Sequence, residues 1–168
     1  MKYLFVLLFA IPFFSDAQEC NLKKEKDPFT QQPMLSTGFM KFASTASRVS
    51  LNMVADSKEI KLLFSMGDGG CYDNQSTIAI TFDGSKTKST QKNATAMNCD
   101  GIVTIVFRNG TTTPGVLNKI ATKTITSFII TDNTKKKFEF TLKENEKQLL
   151  MERAACLVNE AKTLIKTS

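Results

Sequence analysis

Residues 49–64 read VSLNMVADSKEIKLLF, and the period of their apolar positions decides the fold class. Val49, Leu51 and Met53 alternate with Ser50 and Asn52, the signature of a strand that buries one face and wets the other. Asp56-Ser57 breaks the run, and Ile60, Leu62 and Phe64 restore it. Two alternating runs across a polar break predict an antiparallel hairpin. The β-like pattern begins near Met34 and returns downstream, where Ile78, Ile80 and Phe82 alternate with Thr77, Ala79 and Thr81. Asp83-Gly84 follows, a two-residue hairpin signal that sets Phe82 opposite Ser85. The return arm, residues 85–92, carries three lysines and no large apolar side chain, which suits a sheet edge. Residues 102–107 are apolar on both faces apart from Thr104, so they read as a central strand. Thr113-Pro114 opens a short helical turn through Ala121. Residues 124–131 form another β-branched run, and Phe138, Phe140 and Leu142 mark a last strand after the polar turn 132–135.

The chain ends differently. Residues 144–165 contain neither Gly nor Pro, and Leu150, Ala154, Leu157, Ala161 and Leu164 recur at steps of three and four. That spacing makes one apolar stripe on a helix long enough to cover a sheet face. The fold class is therefore α+β: an antiparallel sheet of about seven or eight strands, open or barrel-like, with one long C-terminal helix packed on it. Neither an internal repeat nor a second domain is visible.

The other end sets the compartment. Met1-Lys2 is a minimal basic start, residues 3–14 are almost entirely apolar, and Ser15-Asp16-Ala17 places small residues at −3 and −1 from a cut before Gln18. This is the layout of a secretory signal peptide, and its apolar run is too short to span a membrane. The expected organisation is a signal peptide at 1–17, a polar lead-in at 18–33 broken by Pro28 and Pro33, and a single α+β domain at 34–168. The mature protein is then secreted or periplasmic. Cys20, Cys71, Cys99 and Cys156 all lie in it, and an even count in an exported chain implies two disulfides. Extending the Phe82–Ser85 ladder puts Cys71 opposite residue 96, three positions from Cys99. That favours Cys71–Cys99 and leaves Cys20 for Cys156. No Cys-x-x-Cys pair exists, and Gln18-Glu19 precede Cys20 where a lipid-bearing cysteine would directly follow the cut.

The chain holds no histidine, which removes Ser-His-Asp and Cys-His catalysis in their usual forms and histidine-ligated metals. Only a Ser-Lys dyad or a carboxylate pair remains, and nothing in the sequence assembles either, so the expectation is a non-enzymatic protein with no cofactor and no resident metal. The segment Gly67-Asp68-Gly69-Gly70-Cys71-Tyr72-Asp73-Asn74 is the candidate ligand or calcium loop: glycines permit close approach, and Asp68, Asp73 and Asn74 offer hard oxygens. No glutamate closes it as in an EF-hand, and a disulfide-tethered connection between strands has the same composition. Asn74-Gln75-Ser76, Asn93-Ala94-Thr95 and Asn109-Gly110-Thr111 match the N-glycosylation pattern, which is inert in a bacterial host. With 13 Phe, 2 Tyr and no Trp, the aromatic content reads as core.

The layout of a short signal, an early cysteine after Gln18-Glu19, a β-rich middle and a helix carrying Leu149-Leu150-Met151 and Ala154-Ala155-Cys156 resembles small secreted proteins of Gram-negative bacteria. That resemblance brings no catalytic residues. The size, the export, the disulfides and the terminal helix also resemble lipocalins, although Gly38-Phe39-Met40 stands where their Gly-x-Trp would be. Export and two disulfides without an assembled catalytic set point to a secreted or periplasmic non-enzymatic binding or interaction protein, whose net charge of +6 suits an anionic envelope component or another envelope protein. Export argues against nucleic acid as the partner. The lipocalin comparison implies a carrier of a small apolar ligand, with Phe64, Phe82, Ile105 and Ile129 lining its cavity.

Overall fold

The computed structural model describes residues 20–43 and 47–165, so the expected signal peptide and its cut near Ala17 lie outside the described residues. Along the chain run β1 (Lys23–Lys26), β2 (Pro33–Ser36), β3 (Met40–Ala43), β4 (Arg48–Ala55), β5 (Glu59–Met66), β6 (Thr77–Phe82), β7 (Ser89–Lys92) and β8 (Ile102–Arg108). Then come α1 (Gly115–Thr122), β9 (Ile125–Thr131), β10 (Lys137–Thr141) and α2 (Glu144–Ala161), which passes into a 3-10 turn at Lys162–Leu164. The fold is α+β, as the patterning requires, but the strands form two antiparallel sheets. One is ordered β1-β2-β4-β5-β8, with β3 also on β4; the other is ordered β10-β9-β6-β7.

The opening stretch folds as read. β4 and β5 pair with Leu51 opposite Phe64, and their alternate residues from Val49 to Ala55 and from Ile60 to Met66 are buried. Asp56 closes the turn by accepting the Lys58 and Glu59 amides on one carboxylate oxygen. β2 and β3 share one edge of β4, separated by a jog at Thr37. The Thr37 amide donates to the Met53 carbonyl, and its hydroxyl accepts the Met53 amide, so the jog leaves no ladder group of Met53 unpaired.

Four expectations are corrected. The strand count is ten among the described residues, because the polar lead-in forms the β1–β2 hairpin in spite of its prolines. Pro33 opens β2 and Pro28 sits in the turn, positions that need no ladder donor. Asp27 holds that turn through the Thr30 and Phe29 amides, which with the nearby Lys61 charge keep its carboxyl below the usual carboxylate range.

β8 is an end strand, not a central one. The segment after β7 occupies its open edge at Thr104, where Ala94 donates to the Thr104 carbonyl and the Thr104 amide donates to Asn93 Oδ1, while on its second face Ile102 stays exposed and Val106 half-buried. The Asp83-Gly84 turn exists, with Ser85 donating to the Phe82 carbonyl, but the β6–β7 ladder begins only at Ile80 opposite Ser89. The edges of Thr81 and Asp83 are taken from the other side, by Ser127 and by the Thr124 carbonyl. Finally, α2 covers both sheets, touching β2 and β4 of one and β9 of the other.

Phe128 on β9 stands between the sheets, 6.1 Å from the Phe42 ring and 5.3 Å from the Phe64 ring. Leu150, Ala154, Leu157 and Ala161 of the expected stripe are buried, and Leu164 packs against the core from a half-buried position. The N-terminus of α2 is closed by the Lys143 amide donating to Glu146, and Glu144 and Glu146 place negative charge where the helix dipole favours it.

Candidate functional site

Both disulfides form as the register argument pairs them. Cys20–Cys156 ties the start of the described chain to α2, and Cys71–Cys99 closes the segment holding the β6–β7 hairpin. Around the second, Gly70 pairs with Asp100 and Tyr72 with Asn98. This packing needs glycine at position 101, which has φ +73° and where a Cβ would stand 3.0 Å from the Gly69 Cα.

The candidate loop residues separate. Asp68 and Asn74 are exposed. Asp73 turns inward, and its Oδ1 accepts the Gln75 amide, the Ser76 amide and the Ser76 hydroxyl. Burial opposes its ionisation, but those hydrogen bonds and the Lys135 charge hold its carboxyl below the usual range. Among the described residues no group of three or more His, Cys, Asp or Glu side chains converges as metal ligands would. Tyr72 is fully buried, and its hydroxyl has no hydrogen-bond partner among the described residues. Burial, with the Asp132 and Asp68 charges behind it, pushes that phenol up to about 12.

Of the residues expected to line an apolar cavity, Phe64, Phe82 and Ile105 are buried. Ile129 is half-buried and alternates with the inward Phe128 and Ile130, so it faces away from the core. The glycosylation motifs divide in the same way. Asn74 is exposed, whereas Asn93 and Asn109 are buried and spend their side-chain N–H groups on backbone carbonyls.

Asn109 builds the most distinctive surface of the molecule. Its Nδ2 donates to the Asp56 carbonyl at 2.8 Å and to the Ala161 carbonyl at 2.8 Å, pinning the β4–β5 turn to the end of α2. The Asn109 amide adds a bond to the Lys58 carbonyl. Beside this knot lies a cleft of about 520 Å³ whose lining includes Ser57, Lys58, Arg108, Thr111 and Thr112, with Ile165 as an apolar wall and no carboxylate among the described residues. Arg108 stands opposite Glu59 across the β5–β8 ladder, but Lys61 takes the Glu59 carboxylate at 3.1 Å, so Arg108 has no ion pair among the described residues. A neighbouring cleft of about 430 Å³ shares Lys58 yet sets Asp27 and Asp56 against Lys58 and Lys61. Sequence patterning alone misses the acid-free cleft. Its one signal is the Asn109-Gly110-Thr111 motif, which marks the right loop for a different chemistry.

No family model, curated protein or solved structure matches this chain. No helix among the described residues is long and apolar enough to cross a membrane. The two disulfides fit a secreted or periplasmic protein.

Proposed function

We propose that this is an exported, non-enzymatic binding protein that engages an anionic component of an envelope or extracellular surface. One observation carries the reading. The first sheet and its turns hold eight basic residues against four acidic ones, and of the basic ones Lys61 alone is ion-paired among the described residues. Cations left without intramolecular partners are available to an external anion, and their field raises its encounter rate. The three lysines of β1 are all accessible, since every residue of that edge strand is exposed. A lysine-bearing edge also discourages pairing with another strand, so the interaction runs through charge rather than through an added strand.

Sedimentation with phosphatidylglycerol vesicles, set against pure phosphatidylcholine, tests this. The protein should bind the anionic vesicles at low ionic strength and leave them as salt shortens the screening length. Replacing Lys23, Lys24 and Lys26 together by Glu should weaken binding. Equal behaviour toward both vesicles at low salt defeats the reading. The absence of enzymatic activity is part of the same proposal, and its motive is the missing histidine.

A further inference from the structure

We infer that the cleft between the β4–β5 turn and the loop after β8 is a discrete site for a tetrahedral oxyanion, a phosphate or sulfate group, free or esterified, contacted by Arg108 and Lys58. The inference rests on the reading of the protein as a binder of anionic partners, and it adds a location and a chemistry.

Four features converge there. The guanidinium of Arg108 offers a planar two-pronged donor and the Lys58 ammonium a mobile point charge, the usual division of labour around phosphate. The amides of Gly110, Thr111 and Thr112 and the hydroxyls of Ser57, Thr111 and Thr112 donate no hydrogen bond among the described residues. Successive free backbone N–H groups in a loop make an anion-binding concavity.

Among the described residues no carboxylate lines the cleft to compete with an incoming anion, whereas Asp27 and Asp56 balance the lysines of the neighbouring cleft. The loop is also held before any ligand arrives, because both N–H groups of the buried Asn109 side chain are bound to backbone at its base. A donor set fixed in advance spends less of its interaction energy on ordering. The cleft exceeds the size of one oxyanion, and Ile165 offers an apolar wall to whatever carries it.

Titration of the isotope-labelled chain with inorganic phosphate, at constant ionic strength held by chloride, reads the site directly. Saturable shifts are expected at the amides of Gly110, Thr111 and Thr112. Arg108→Ala and Lys58→Ala should each weaken them at least tenfold, while Lys24→Ala leaves them unchanged. A second arm with glucose 6-phosphate separates the sources: tighter binding assigns an esterified group, equal or weaker binding a free anion. Shifts that fail to saturate, or that survive Arg108→Ala, overturn the site. If phosphate leaves these amides unmoved while anionic vesicles still bind, this site falls and the broader reading stands. If phosphate binds saturably while anionic vesicles do not bind, the site stands and the broader reading falls.

Discussion

Asn109 shows how one side chain can be misread by its motif and explained by its burial. As part of Asn109-Gly110-Thr111 it looks like a glycan acceptor, yet its amide is the joint between the β4–β5 turn and the end of α2. Asn109→Ala would strand the Asp56 and Ala161 carbonyls, and at roughly 1 to 3 kcal/mol for each unsatisfied buried group the loss should be about 2 to 6 kcal/mol. Urea denaturation of the variant measures this, and a loss below about 1 kcal/mol would show that water replaces the amide. Tyr72 is the converse case, a buried hydroxyl with no partner among the described residues. Tyr72→Phe should therefore be neutral or stabilising by about 1 kcal/mol. The same residue makes stability pH-dependent. Below pH 10 the phenol is protonated in both states; between pH 10 and about 12 the unfolded chain releases the proton while the folded chain keeps it, so stability falls as pH rises. Denaturation midpoints at pH 9 and pH 11 should differ more for the native chain than for Tyr72→Phe. Neither residue's role is legible in the sequence, because burial and hydrogen-bond partners are set by segments about fifty positions away in one case and by a disulfide-closed loop in the other.

At the level of elements, legibility follows from whether a segment's own side chains decide its place. The β4–β5 hairpin and α2 are readable because their apolar residues recur at strand and helix periods and bury a whole face. β1 is not, since its four exposed residues, KKEK, have no apolar face and are ordered by their neighbour β2 and by the tether at Cys20. β8 reads as central because its apolar residues do not reveal that Ile102 stays exposed and Val106 half-buried, nor that a loop takes its edge at Thr104. The Cys20–Cys156 bridge thus has a specific task. Among the described residues β1 pairs only with β2, and beside it the partly buried Leu22 packs on the core and Asn21 accepts a bond from Arg153. Replacing Cys20 and Cys156 by Ser should release residues 20–27 while β4, β5 and β9 stay folded. Hydrogen exchange would show it as protection lost in that segment alone. The chain-entropy model assigns a bridge spanning 136 positions roughly 5 kcal/mol as an upper figure, and residual structure in the unfolded chain reduces it. Global unfolding of the double variant at room temperature would mean that the lead-in is integral to the core.

For the whole molecule the question is why two sheets behave as one body. The sequence points to one sheet because alternation reveals an inward face without telling which sheet it belongs to. The answer lies in the residues between the layers. Phe128 from the second sheet meets Phe42 and Phe64 of the first, the Phe64 contact edge-on, and the Asn93 side chain joins the two sheets at a second place through the Thr104 amide. α2 closes the assembly by burying Leu150, Ala154, Leu157 and Val158 while touching strands of both sheets. Each sheet's apolar face is covered by the other sheet and by the one helix α2 that both share, so the core should melt in one step. Phe128→Ala tests this at the point of contact. A fully buried Phe cut to Ala costs about 3 to 5 kcal/mol, and here the cavity would open against two aromatic neighbours. The expected outcome is a lower midpoint with far-ultraviolet and near-ultraviolet signals still lost together. Two separated transitions in the native chain, or a Phe128→Ala variant in which only the second sheet melts early, would show that the sheets are independent bodies joined by their loops.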